Sequence, residues 1–121
     1  MKPKLAQKMK DGGCWEVFLG IESVHQDSLN VIRKGLKPSI IERGVKCCRE
    51  AGIEVRGLFM LGLPKETPEK AKETIDFSIK LDLDYAQYTM TTPHKGTDFY
   101  ADAKKYGMML VEEESSRNTQ N

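Results

Sequence analysis

Three short β-prone stretches, 14–21, 53–61 and 85–91, alternate with segments of helical periodicity, and that alternation constrains the fold more than any other feature. Strands joined through helices pair in parallel, with crossovers that are almost always right-handed. In such an α/β arrangement all strand exits fall on one edge. Here that edge would carry Glu22-Ser23, then Gly62-Leu63-Pro64, then Pro93 to Thr97. Open α/β sheets and α/β barrels bind their ligands at that edge. The most informative stretch is therefore Val17-Phe18-Leu19-Gly20-Ile21-Glu22-Ser23, an apolar strand that runs directly into a carboxylate and a hydroxyl. A solvated loop would begin the same way, so the rest of the chain has to decide.

A first helix is expected over 4–11, stopped by Gly12-Gly13. A second, over 27–34, carries Leu29 and Ile32 and is closed by Gly35. Pro38 suits the first turn of a third, where Ser39 and Glu42 have capping-box spacing. Ile41, Val45 and Cys48 form its buried stripe, and Gly52 ends it. Thr67-Pro68 is an N-cap and N1 pair for a fourth helix running to Leu81. Its inner face comprises Ala71, Thr74, Ile75, Phe77, Ser78 and Leu81. A last helix is expected over 98–106, and residues 108–121 read as a polar, flexible tail.

Strand parity sorts the side chains. Glu16, Phe18 and Gly20 share the face of Glu22, while Trp15, Val17, Leu19 and Ile21 turn toward the helices. Arg56, Leu58, Met60 and Gly62 share one parity of the second strand. On the third, Gln87, Thr89 and Thr91 make a polar row opposite Ala86, Tyr88 and Met90. A sheet covered on both sides would be apolar on both. The polar row fits the lumen of a barrel, and equally an exposed sheet face.

Charge and cysteine content narrow the function classes. With Lys+Arg at 19 and Asp+Glu at 18, no net field recruits nucleic acid or an anionic membrane. No apolar run approaches the roughly 18 residues of a membrane span. The first residues contain no apolar signal-peptide core, so a cytoplasmic location is expected. Cys14, Cys47 and Cys48 form no C-x-x-C pair and make a poor disulfide framework. They read as buried structural thiols, and no metal site is expected from them.

Taken together, several motifs resemble the second half of a radical S-adenosylmethionine (SAM) enzyme core. They are Met9-Lys10-Asp11-Gly12-Gly13-Cys14, Gly20-Ile21-Glu22-Ser23, Arg33-Lys34-Gly35 and Cys48-Arg49-Glu50-Ala51-Gly52-Ile53. Gly57 to Pro64, Glu66-Thr67, Thr92-Pro93 and Gly96-Thr97 continue the series. The likeness is to the subgroup that often carries a cobalamin-binding domain upstream. It implies that residues 4–107 form the C-terminal half of a partial (β/α)6 barrel, with about three parallel strands and helices on one face. In such a core a 4Fe–4S cluster and SAM sit at the strand ends, and reductive cleavage of SAM gives a 5′-deoxyadenosyl radical. The C-x3-C-x2-C cluster motif and the glycine-rich SAM motif are absent from this sequence. The chain is then expected to be an excised piece or a truncated product, inactive alone, whose partner is the missing N-terminal half of the barrel.

The resemblance also implies roles for individual residues. SAM contacts are expected at Glu22, Ser23, Lys34, Met60 and Gly62. Glu22 would accept hydrogen bonds from ribose hydroxyls or an ammonium group. Lys34, twelve residues further on, would meet the SAM carboxylate as a point charge. Met60 would lie near the adenine. Gln87, Thr89 and Thr91 would line a cavity for a small-molecule substrate, with His94 at its mouth. The competing expectation is a non-catalytic half-barrel module, open at its sheet edges and prone to self-association.

Overall fold

Helical crossovers of this length leave parallel pairing as the economical arrangement, and the computed structural model shows it. It describes residues 1–106, which fall into two compact units, Met1–Met90 and one beginning at Thr91. The first unit runs α1 (Pro3–Asp11), β1 (Glu16–Glu22), α2 (Gln26–Val31), α3 (Pro38–Glu50), β2 (Glu54–Leu61), α4 (Pro68–Lys80) and β3 (Tyr85–Met90). Its three strands form one parallel sheet in the order β1-β2-β3. The second unit contains α5 (Asp98–Asp102), which runs into a 3-10 turn at Ala103–Lys105. The expected tail, 108–121, lies outside the described residues.

Burial follows strand parity on β2, whereas β3 is exposed at both parities. Trp15, expected to turn toward the helices, is 66% exposed because it precedes β1 and lies outside the paired strand. Val55 and Phe59 of β2 are buried with Ile41, Val45 and Cys48 of α3, together with Ile21, Ile53 and Leu81. Burying a side chain such as Phe59 contributes about 1.5–3 kcal/mol. Phe59 also stacks on Tyr88, with ring centroids 5.3 Å apart. The opposite parity is uncovered: Phe18 is 60% exposed and Tyr85 50%. Helices therefore cover one face of the sheet, as expected. Near its open face, at the N-terminal ends of the strands, Arg56 bonds Glu16 at 3.0 Å and lies over the rings of Phe18 and Tyr85. In α/β barrels this end of the strands serves stability, whereas ligands bind at the other.

Helix ends follow their capping chemistry. Gly13 and Gly52 take left-handed φ values of 93° and 74° and close α1 and α3. In each case the next N–H returns to a carbonyl five residues back, Cys14 to Met9 and Ile53 to Cys48. The second helix ends earlier than expected. It closes at Arg33, φ 56°, rather than at Gly35. The Ser39–Glu42 capping box does not form, because Pro38 occupies N1 and Lys37 is the N-cap without a side-chain bond. Thr67 does cap α4, accepting from the Lys70 N–H. Thr97 caps α5 in the same way, through the Tyr100 N–H.

Candidate functional site

The exit of β1 is built around an unfavourable backbone. Register slips between Gly20, opposite Leu58, and Glu22, opposite Phe59, which makes Ile21 an extra residue. Such a bulge bends a strand and re-aims the side chains beyond it. Glu22 then adopts φ 67°, and the Ser23 N–H donates to the Ile21 carbonyl at 2.9 Å. A bond spanning one residue at positive φ is a γ-turn of the strained kind. Non-glycine residues in that region cost on the order of 1–3 kcal/mol and concentrate at functional positions.

Lys34 reaches the same place from the turn that closes α2. The Lys34 N–H bonds the Leu29 carbonyl at 2.9 Å and the Arg33 N–H bonds Asn30 at 3.1 Å. This is the closed helix end in which Arg33 holds the left-handed position usually given to glycine. The turn brings the Lys34 Nζ to 3.4 Å from the Glu22 Oε1. Both groups lie over Gly20, where a methyl would stand 2.9 Å from the ammonium and 3.1 Å from the carboxylate. Glycine leaves room there for the pair. At partial exposure the ion pair itself contributes no more than about 1 kcal/mol.

The exit of β2 lies beside it. Gly62, φ 77°, donates its N–H to the Glu66 Oε1 at 2.6 Å, and the Glu66 N–H closes the turn on Leu63. The other oxygen of Glu66 is buried and has no hydrogen-bond partner among the described residues. Sequence reasoning assigned Glu66 no role. The signal available was a carboxylate four residues after a glycine that must turn. Met60 is half-buried and in register with Thr89, and Leu58 with Gln87, on the open face. The Thr89 hydroxyl bonds the Phe59 carbonyl at 3.3 Å.

Ser23 is placed differently from expectation. It is fully buried, its Oγ 3.4 Å from the Thr74 Oγ1 and accepting the His25 N–H at 3.1 Å. Its hydroxyl thus faces α4 rather than the open edge. His25 also packs on α4, with Nε2 3.1 Å from both the Lys70 carbonyl and the Glu73 carboxylate. Asp27 accepts from the Lys70 ammonium at 2.8 Å, which holds its carboxyl below the usual range. Ser28 donates to the Pro64 carbonyl at 2.9 Å, tying the first exit to the second. Thr91 and His94 belong to the second unit, where the His94 carbonyl accepts from the Thr97 hydroxyl.

The donor sets discriminate between two groups associated with such an edge. A carboxylate and an ammonium over a glycine fit the zwitterionic end of an amino acid, with the signs reversed. The thiols do not fit an iron–sulfur cluster there. Cys14 precedes β1, at the opposite end from Glu22, and Cys47 and Cys48 are buried on α3. Among the described residues no three His, Cys, Asp or Glu side chains converge as a metal site.

Comparison with known proteins adds lineage to this geometry. The Radical SAM superfamily matches residues 1–78. An uncharacterised methyltransferase of Pyrococcus horikoshii is 41% identical over 108 residues, covering 89% of this chain and 24% of that protein. The bacteriochlorophyllide d C-8(2)-methyltransferase of Chlorobaculum tepidum is 28% identical over 113 residues, covering 92% of this chain and 25% of the relative. The chain thus spans 24–25% of the length of these two curated relatives. Among solved structures, the radical SAM methyltransferase TsrM of Kitasatospora setae, with cobalamin and a 4Fe–4S cluster bound, aligns at a TM-score of 0.71. That alignment is 24% identical and covers 74% of this chain and 18% of TsrM, a likeness of fold.

Proposed function

Because this chain belongs to the radical SAM superfamily, we propose that it supplies SAM- and substrate-contacting strands to a radical SAM core. The observation that carries this reading is the Glu22–Lys34 pair held over Gly20 at the C-terminal edge of a parallel sheet. Lys34 donates to a carboxylate, and Glu22 accepts from an ammonium or from ribose hydroxyls. Met60 offers an apolar surface to the adenine, and Gly62 admits close approach to its backbone. Gln87 and Thr89 face the substrate with hydrogen-bonding groups. When bound, SAM supplies the radical chemistry of the family. In this reading the cluster ligands come from outside the described residues. Methyl transfer to a small molecule is the reaction we assign, following the names of the two relatives. Cobalamin would enter through a separate domain, and a reducing cytoplasm suits three free thiols.

A second reading has its own observation. Phe18 and Tyr85 leave a sheet face uncovered, as a half-barrel module that is inactive alone would. SAM titration of the isotopically labelled chain to millimolar concentration separates the two. The expected result is weak binding, with amide shifts at Glu22, Lys34 and Gly62 that disappear in Glu22→Ala. No response at these amides, or an identical response in the variant, would favour the module.

A further inference from the structure

The strained turn at Glu22 needs something to hold it. Strained backbone persists only where its surroundings over-determine it. Three polar contacts converge on the residues immediately after the turn, and two of them come from one side chain on α4. The Thr74 Oγ1 accepts the Val24 N–H at 3.5 Å and lies 3.4 Å from the Ser23 Oγ. The Ser23 Oγ in turn accepts the His25 N–H at 3.1 Å. Thr74 and Ser23 are both fully buried. A hydroxyl in such a place costs free energy unless bonded, so its presence there specifies geometry at least as much as it adds stability.

We propose that Thr74 is a positioning residue, which from α4 holds the γ-turn that aims Glu22 at its ligand. The inference rests on the reading of Glu22 as a SAM contact, but its structural half can be tested separately. Thr74→Val keeps the shape and removes both bonds, whereas Thr74→Ser restores the hydroxyl. In the full chain, amide hydrogen exchange at Ser23, Val24 and His25 should accelerate about tenfold in Thr74→Val and return toward the parent in Thr74→Ser. Should the valine variant fold poorly, Ser23→Ala serves in its place. It removes the acceptor of the His25 N–H but leaves Thr74 bonded to the Val24 N–H, so exchange should accelerate at His25 and stay slow at Val24. Loss of protection at Val24 would show that Thr74 does not hold it. Exchange at Val55, whose N–H bonds the Asp84 carboxylate at 2.8 Å, should stay unchanged in all of them.

The second readout is the SAM-induced shift of the Glu22 amide, which Thr74→Val should diminish and Thr74→Ser should recover. Parent-like protection at 23–25 in Thr74→Val would overturn the proposal. Lost protection with an intact SAM response would also overturn it, since Thr74 would then stabilise the turn without positioning Glu22. If the parent chain shows no SAM shift at all, the reading of the site falls with that result. The exchange comparison still decides whether Thr74 holds the turn.

Discussion

Glu22 stands where glutamate is disfavoured, and Gly20 stands where any side chain would intrude on its ion pair. The two facts make a test that separates binding from folding. A methyl at Gly20 would meet the Lys34 ammonium at 2.9 Å, the far end of a flexible side chain that can swing away. No core atom lies within 4 Å of such a methyl, and Gly20 itself is not at positive φ. Gly20→Ala should therefore leave stability within about 0.5 kcal/mol, as for substitutions away from the core. It should also weaken the SAM-induced shift at Lys34. Urea titration and the amide titration check the two halves, and a large loss of stability would show that Gly20 serves the fold instead. The carboxylate was legible in the sequence as a charge at a strand end, and the lysine, at the end of the helix expected over 27–34, only through the family resemblance. Their pairing was not, because it depends on a bulge at Ile21 and a left-handed Arg33 that no residue type announces. Ser23 shows the same gap: a hydroxyl beside a site residue reads as a ligand group until its burial against Thr74 is seen.

At the scale of elements, the alternation of strands and helices was readable because period and punctuation agreed. Gly13, Gly52 and Thr67-Pro68 each carry their own physical reason for stopping or starting a helix, and each does so. Ser39 and Glu42 had the right spacing but the wrong frame, since Pro38 took the first helical position. Packing also fixes residues that pattern alone leaves open. A Cβ at Gly57, in the middle of β2, would lie 2.5 Å from the Leu83 Cδ1 and 2.8 Å from the Phe59 Cε2. The leucine methyl can shift, but the Phe59 ring is buried in the core and stacked on Tyr88. Gly57→Ala should thus destabilise the chain by about 1–3 kcal/mol, the usual penalty for overpacking. Chemical denaturation measures it, and a variant as stable as the parent would mean that the ring moves freely.

At the scale of the chain, the edge proposed to contact SAM is joined to thiols packed in the core, Cys47 and Cys48, or against it, Cys14. Iron–sulfur ligation needs accessible thiolates that can converge. Cys48 is fully buried, and burial pushes its thiol up, with Cys47 and Cys14 adding to the effect. A thiol raised in this way stays protonated in the fold at pH values where the unfolded chain begins to ionise. Its contribution to stability is complete below the ordinary thiol range and is lost as the pH rises through and above it. Ligating a metal would require the same deprotonation inside the core. The Cys48 Sγ lies 3.4 Å from the Met1 Sδ, beside the stripe that α3 packs on β2. Cluster assembly there would have to open this packing. Anaerobic incubation of the chain with iron and sulfide should therefore leave no cluster absorbance after desalting, with all three thiols still titratable on unfolding. A stoichiometric chromophore that disappears in Cys14→Ser and Cys48→Ser would overturn this. It would mean that the thiols leave the core to bind iron, and that cofactor binding on this chain extends beyond the edge proposed for Glu22.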